Sequence, residues 1–170
     1  NLIPCYREHS MYDESKDFQH HSREVEAAVS MLRQVFPALD FSSGNLLDLG
    51  GGQGMHAGFF SQIFSKVYCV DIINYTILYG GDFCKRIGEK YSRNGIDCAL
   101  DRIAFVESDA QSLIFRDNLF DFCVSINAFE HIPNPRDALN EVLRTLKPGG
   151  VAYISIDPIW TCDTGSHFFH

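Results

Sequence analysis

The chain has 170 residues, 45% of them hydrophobic and 21% charged, and its formal net charge is −8. This length and composition are those of a single globular domain with its own hydrophobic core. The acidic balance argues against nucleic acid as a partner, because neutralising phosphates needs a basic surface. We expect no membrane insertion, because no uncharged apolar stretch reaches about 18 residues.

The cysteines and the N-terminus both favour a cytoplasmic protein. The six cysteines form no C-x-x-C pair, so we expect buried, reduced thiols. The chain begins with charged residues where a signal peptide needs an apolar run, and its first residue is not Met. We therefore predict that it is not secreted and that it is a fragment or a trimmed chain.

Helical and extended patterns alternate from residue 22 onward. Residues 22–36 have apolar side chains at helical spacing and stop before Pro37, which predicts a helix covering one face of a sheet. Residues 45–50 form a short apolar run that predicts a strand. After a glycine turn, residues 55–65 return to helical spacing.

The same alternation continues along the rest of the chain. It predicts further strands at 66–72, 102–108, 120–127 and 151–157. It also predicts a helix within 74–95 that stops at Asn94-Gly95 and a helix within 135–150 that stops at Lys-Pro-Gly-Gly. Five strands joined by helices indicate an α/β fold, a three-layer, Rossmann-like, doubly wound sheet of parallel strands. The strands are apolar almost throughout, which fits burial on both faces.

The first predicted strand runs into a glycine-rich turn within the segment LLDLGGGQGMH. In a doubly wound sheet, ligands bind beyond the carboxyl ends of the strands, beside this turn. Asp48 is followed at alternate positions by Gly50, Gly52 and Gly54. A dinucleotide fingerprint starting at Gly50 needs glycine or alanine where Met55 stands, so the loop favours a cofactor without a pyrophosphate over NAD. A tight structural turn is the alternative.

Acidic residues end the next two predicted strands. Asp71 lies 17 residues after Gly54, where a carboxylate can accept hydrogen bonds from a ribose diol. Asp109 ends the third strand, where a carboxylate can accept from an adenine amino group. Each acid alone could be a helix cap or a turn residue. Together with the glycines, they favour a cofactor that contains adenosine.

These residues carry a family resemblance. In order and spacing, the chain resembles class I S-adenosylmethionine-dependent methyltransferases, most closely the type 11 small-molecule group, in the segments LLDLGGGQG, VDI, SDA, FDFCVSINAFEHI and LRTLKPGGVAYISI. The resemblance extends over about residues 45–157. It implies S-adenosylmethionine as the cofactor and S-adenosylhomocysteine as its product.

The resemblance also implies a set of cofactor-binding residues. Asp48 orients the loop and bonds to the methionyl amino group, while the methionyl part and the ribose face Gly50, Gly52 and Gly54. The ribose is held at Asp71, the adenine is met by Asp109 and Ala110, and the methionyl end lies over Asn127. The same motifs add Gly51, Gln53 and Ile72. Family members commonly have cysteine, alanine or serine at position 51, and we expect glycine there to loosen the loop.

We divide the single domain into three parts: an N-terminal lid and covering helix (1–44), the S-adenosylmethionine-binding core (45–157), and the start of an acceptor-side segment (158–170). Residues 11–24 are either a lid over the cofactor or a surface arm. Family members carry two further strands after the fifth, so we expect this chain to be truncated. The fifth strand is then an exposed edge through which the chain could self-associate.

The predicted function is methyl transfer to an O, N or C nucleophile of a small-molecule acceptor by in-line displacement. The chain lacks the Asn/Asp-Pro-Pro-aromatic run of enzymes that methylate nucleobases or glutamine. His131, in the segment NAFEHI, is the candidate catalytic residue that could accept a proton from the acceptor, although it could instead pack or cap the following loop. The alternative function is a non-catalytic binding or regulatory module with the same fold.

We predict no metal site. Four histidines, His20, His21, His167 and His170, lack a fixed carboxylate or cysteine partner in the sequence. Histidines of this kind usually lie at the surface or in a substrate pocket.

Overall fold

The computed structural model describes residues 13–156. In chain order the elements are α1 (Glu14–Val35), β1 (Asn45–Leu49), α2 (Met55–Phe60), β2 (Lys66–Asp71), α3 (Tyr75–Leu78), α4 (Phe83–Arg93), β3 (Ile103–Glu107), β4 (Phe120–Ile126), α5 (Pro135–Thr145) and β5 (Leu146–Ser155). Short 3-10 turns lie at Leu100–Arg102 and Phe129–His131.

The five strands form one sheet in the order β3-β2-β1-β4-β5, and all four neighbouring pairs are parallel. The chain moves outward from β1 to β3 and then returns to the other side of β1 as β4. The order therefore reverses between β1 and β4, where a doubly wound sheet opens a ligand crevice. The predicted α/β Rossmann-like fold is confirmed.

Two hydrophobic clusters cover the two faces of the sheet. Alternation along β1 places Leu46 in the cluster that includes α1, α2 and α4, and Leu47 in the cluster that includes α5. Both faces of the central strands are buried, which explains their nearly unbroken apolar sequences.

The first helix starts eight residues earlier than predicted. The Asp13 side chain caps it by accepting hydrogen bonds from the backbone N–H groups of Ser15 and Lys16. Phe18 is only 3% exposed and packs on Phe59 with ring centroids 4.9 Å apart. Residues 14–21 are therefore the first turns of a docked helix and not an arm preceding it, while residues 1–12 lie outside the described range.

The helix predicted over 74–95 is wrong as a single element. It divides into α3 and α4 at Gly80 and Gly81, whose φ angles of 63° and 89° are left-handed and cannot continue an α-helix. The helix expected at 55–65 is also shorter, because α2 ends at Phe60.

The boundary between the last helix and the last strand is shifted. The last helix was predicted to stop at Lys-Pro-Gly-Gly, and α5 does end just before it, at Thr145. The strand predicted from residue 151 begins earlier, because Leu146 already pairs with Phe120. The next pair joins Phe122 to Val151, so residues 147–150 form an irregularity in the ladder. Proline and a glycine with φ of 81° in this stretch cannot continue a helix.

Strand β5 lies at one edge of the described sheet, and self-association through it stays a prediction. The predicted acceptor-side segment 158–170 lies outside the described residues. No helix in the described range combines the length and apolar character needed to cross a bilayer.

Candidate functional site

The glycine loop between β1 and α2 is fastened to the neighbouring strand. The backbone N–H groups of Gly50 and Gly51 both donate to the carbonyl oxygen of Val70, at 2.8 and 3.0 Å. The loop therefore turns at the carboxyl edge of the sheet, as the sequence predicted.

Gly51 leaves room for two buried side chains. A Cβ atom at this position would lie 2.5 Å from Cys69 Sγ and 2.6 Å from Asp48 Oδ2, closer than real Cβ contacts. The expectation that glycine merely loosens the loop is therefore incomplete. In this chain, Gly51 lets the loop pack directly on Cys69 and Asp48.

Asp48 lies beneath this loop and is only 1% exposed. Its Oδ2 atom has no hydrogen-bond partner among the described residues. Burial raises the pKa of its carboxyl to about 6. The Cys69 thiol is the hydrogen-bonding side chain beside this carboxyl, so Asp48 supports the glycine loop from beneath.

Asp71 ends β2 and anchors the loop. Its Oδ2 accepts a hydrogen bond from the Gly52 N–H at 3.0 Å, and its Oδ1 accepts from the Ile73 N–H at 2.9 Å. Each carboxylate oxygen has a second acceptor site. Asp71 can therefore hold the loop and a ligand diol at the same time.

Asp109 is already engaged in its own turn. Its Oδ1 accepts from the Gln111 N–H at 2.8 Å and from Gln111 Nε2 at 3.0 Å. The backbone hydrogen bond from Gln111 lowers the pKa of the Asp109 carboxyl. An adenine contact at Asp109 stays a prediction, and Gln111 would share that carboxylate with it.

A cavity of about 370 Å³ lies at these strand ends, and we call it the Asp71 cavity. Seven predicted site residues line it: Gly50, Asp71, Ile72, Asp109, Ala110, Asn127 and His131. Several apolar or aromatic lining residues were not predicted from the sequence, among them Ile73, Tyr75, Ile132 and Pro133. The volume lies within the range of about 300–1,000 Å³ that is usual for small-ligand pockets.

A second cavity, of about 430 Å³, is also lined by Gly50 and Asn127, and we call it the Glu24 cavity. Its wall combines the loop residues 50–53 with side chains of α1 and α2, including Asp17, His20, His21, Glu24 and His56. The predicted residue Gln53 also lines it. The two cavities share Gly50 and Asn127, so both open at the point where the strand order reverses.

Asn127 joins the two cavities. It follows β4 with a left-handed φ of 51°, which is uncommon for a residue other than glycine and is often found at functional sites. Its Nδ2 donates to Glu24 Oε1 at 2.9 Å, and its backbone N–H donates to the carbonyl oxygen of Ser155. Asn127, which was predicted to lie under the methionyl end of the cofactor, is thus held by contacts to α1 and to β5.

Glu24 contacts histidines of both α1 and α2. Its Oε2 lies 2.9 Å from His56 Nε2 and 3.0 Å from His21 Nδ1, and the two nitrogens are 3.1 Å apart. Hydrogen bonding from His56 lowers the pKa of Glu24 to about 2, whereas burial lowers the pKa of His21.

The premise that His20 and His21 lack a fixed carboxylate is wrong, because Glu24 contacts both. His167 and His170 lie outside the described range.

Two predicted residues occupy different surroundings. His131 is exposed in a 3-10 turn at the rim of the Asp71 cavity, so its role as a base stays a prediction. Gly54 lines neither cavity, and a Cβ there would meet Phe105 at 2.6 Å. Gly54 therefore allows α2 to start close to the sheet.

Comparison with known proteins agrees with this architecture. An uncharacterized methyltransferase of Mycobacterium avium is 31% identical over 122 residues, which cover 72% of this chain and 42% of that protein. The chain thus spans less than half the length of this relative. A proposed sarcosine dimethylglycine methyltransferase from Galdieria sulphuraria superposes with a TM-score of 0.61 and 28% identity, covering 78% of this chain and 46% of that one.

A third similarity shows the fold alone. The cyclase SpnF superposes with a TM-score of 0.57 at 23% identity, over 81% of this chain and 43% of its own. The family model for the type 11 methyltransferase domain matches residues 47–154, which contain all five strands except the ends of β1 and β5. The chain belongs to the type 11 methyltransferase domain family.

Proposed function

We propose that this chain is the cofactor-binding part of an S-adenosylmethionine-dependent methyltransferase that acts on an O, N or C nucleophile of a small-molecule acceptor. One observation carries the proposal. The Asp71 carboxylate fixes the glycine loop through the Gly52 N–H and also lines the Asp71 cavity, so the loop and the cavity are built around one acceptor group.

The residues at the strand ends fit S-adenosylmethionine. The second acceptor sites of Asp71 suit the ribose hydroxyls. Apolar side chains such as Ile72 and Ile132 line the same cavity and suit an adenine ring. Asp48, buried beneath Gly51, suits the role of orienting the glycine loop around a methionyl amino group.

When bound, S-adenosylmethionine supplies an electrophilic methyl group on a sulfonium. The chain contributes by positioning and by excluding water, because an in-line displacement that disperses positive charge needs little covalent help. Gly50 and Asn127 line both cavities, so an acceptor in the Glu24 cavity would lie next to a cofactor held in the Asp71 cavity. The Glu24 cavity, about 430 Å³, is of a size for a small acceptor.

The alternative is a member of the fold that binds the cofactor without transferring a methyl group. SpnF, which is described as a cyclase, has the same fold as this chain. The two functions differ in a measurable way, because the alternative predicts binding without turnover.

Calorimetric titration of this chain with S-adenosylmethionine, S-adenosylhomocysteine and NADH tests the cofactor. We expect binding of the first two and not of NADH. Asp101→Asn, an exposed change outside both cavities, should bind the cofactor as the wild type does. A metabolite extract with methyl-labelled cofactor then tests transfer. Labelled product supports the methyltransferase, binding without product in any fraction supports the alternative, and absence of binding overturns both.

A further inference from the structure

Three ligand atoms from two helices converge in the wall of the Glu24 cavity. They are His21 Nδ1, Glu24 Oε2 and His56 Nε2, and each lies within 3.1 Å of the other two. We propose that these three side chains form a binding site for a divalent transition-metal ion of the Zn²⁺ type.

The spacing of the three atoms matches one face of a coordination polyhedron. Their separations are 2.9, 3.0 and 3.1 Å. With bonds of about 2.0–2.1 Å to nitrogen and oxygen, neighbouring ligands are about 2.9 Å apart in octahedral and about 3.3 Å apart in tetrahedral coordination. An ion at bonding distance from all three would lie about 1 Å above their plane. The separations in this structure already fall within about 0.4 Å of these values.

The outer contacts orient two of the three ligands. His21 Nε2 lies 3.3 Å from Asp17 Oδ1, which is the carboxylate–histidine pairing that commonly supports a metal-bound imidazole. Glu24 Oε1 accepts from Asn127 Nδ2 at 2.9 Å, which turns Oε2 toward the two histidines. Lys90 Nζ in turn lies 3.2 Å from Asp17 Oδ2.

In the tautomer that pairs His21 with Asp17, the three atoms are poorly matched as a hydrogen-bonded group. When the His21 proton is on Nε2, toward Asp17, its Nδ1 presents a lone pair to the lone pairs of Glu24 Oε2 at 3.0 Å. The single proton on His56 Nε2 must then be shared between two acceptors, His21 Nδ1 and Glu24 Oε2. A cation bonds to all three lone pairs at once, which removes this conflict.

The ligand types decide which ion is favoured. Two imidazoles and one carboxylate suit Zn²⁺ and its first-row neighbours, whereas Mg²⁺ and Ca²⁺ prefer oxygen ligands alone. Three protein ligands leave at least one coordination position for water or another ligand. All three residues line the Glu24 cavity, so that position is within reach of a small molecule there.

The test uses the untagged 170-residue chain, freed of metal with a chelator, and titrates it with Zn²⁺ by calorimetry and with Co²⁺ by absorption spectroscopy. We expect one ion per chain and a Co²⁺ spectrum of nitrogen and oxygen ligation without thiolate charge-transfer bands. No cofactor is added, so failure here is distinguishable from failure of the proposed methyltransferase.

Two ligand variants and two comparison variants sharpen the result. His56→Ala and the near-isosteric Glu24→Gln should each weaken Zn²⁺ binding by about 100-fold or more, and Asp17→Asn by about 10- to 100-fold. His131→Ala, an exposed histidine outside the Glu24 cavity, should bind as the wild type does. Circular dichroism confirms that each variant is folded.

Three results would overturn the site. They are absence of Zn²⁺ binding by the wild type, wild-type affinity in a folded Glu24→Gln variant, and a thiolate signature that places the ion at cysteines. The first of these would leave a purely hydrogen-bonded cluster of His21, Glu24 and His56.

Discussion

The Asp71 cavity and the Glu24 cavity share Gly50 and Asn127 but are held together by different interactions. In the Asp71 cavity, the acids are fixed by nearby backbone amides, as Asp71 is by Gly52 and Ile73. In the Glu24 cavity, side chains fix one another across long stretches of chain, as Glu24 and Asn127 do at a separation of 103 residues.

The two cavities therefore depend on different parts of the fold. The shape of the Asp71 cavity follows from the ends of parallel strands, so it forms wherever the sheet forms. The Glu24 cavity depends on the docking of α1, whose Phe18 packs on Phe59 and Tyr91.

Gly52→Val should affect the cofactor most. Gly52 has φ of 53°, donates to Asp71, and has no atom within 4 Å of a Cβ placed on it, so the new side chain would fill space beside the loop. We expect affinity for S-adenosylmethionine, measured by calorimetry, to fall by more than about 100-fold. The left-handed φ should also lower the free energy of unfolding by about 1–2 kcal/mol.

Gly80→Val is the matched control for that strain. Gly80 has φ of 63°, also has open space around a Cβ, and lines neither cavity. Gly80→Val should lose a similar amount of folding stability and should bind S-adenosylmethionine with the affinity of the wild type. Equal losses of affinity in both variants would mean that strain, not occupied space, is responsible.

Asp48→Asn tests the buried acid beneath the loop through the pH dependence of stability. Burial raises the pKa of Asp48 from 3.8 to about 6, so the folded state gains stability from this group below pH 4 and loses it as the pH rises through 6. Relative to the wild type, the variant should therefore become more stable by about 3 kcal/mol between pH 4 and pH 8. Urea unfolding at both pH values measures this, and a change in the opposite direction would contradict it.

The sheet and most of the Asp71 cavity could be predicted because their signals are local. Each strand is a contiguous apolar run, and Asp71 and Asp109 follow strands whose carboxyl ends must meet at one edge. The errors in helix length also have local causes that were misjudged. Asp13 is the N-cap that starts α1 early, and Gly80-Gly81 is the break that divides α3 from α4.

The Glu24 cavity could not be predicted, because its contacts are non-local. Glu24 and His56 are 32 residues apart and lie in no shared motif, so nothing in the sequence pairs them. The requirement for glycine at position 51 has the same origin, because it depends on where Cys69 of the next strand places its sulfur.

Asp71→Asn should have an intermediate effect on the cofactor. The amide keeps one acceptor oxygen but replaces the other with a donor, so both the Gly52 hydrogen bond and a ribose contact are weakened. We expect a loss of about 1–3 kcal/mol in binding, or roughly 5- to 150-fold in affinity.

Asp109→Asn provides the comparison within the same cavity. Its carboxylate is already shared with Gln111, so calorimetry should show a smaller loss than Asp71→Asn gives. A larger loss at Asp109 would move the principal polar contact from the ribose end to the adenine end.

His131→Ala should have the smallest effect, and it sets positioning against proton transfer. His131 is exposed at the rim of the Asp71 cavity, while the acceptor is proposed to enter from the Glu24 cavity. The displacement needs no base when the nucleophile arrives deprotonated or loses its proton to water afterwards. We therefore expect the methylation rate, measured with the acceptor found in the extract, to fall less than about 10-fold at every pH, with His131→Gln alike. A loss of about 10²–10⁴ that also removes the acidic limb of the pH–rate profile would make His131 a general base and the Asp71 cavity the place where the acceptor binds.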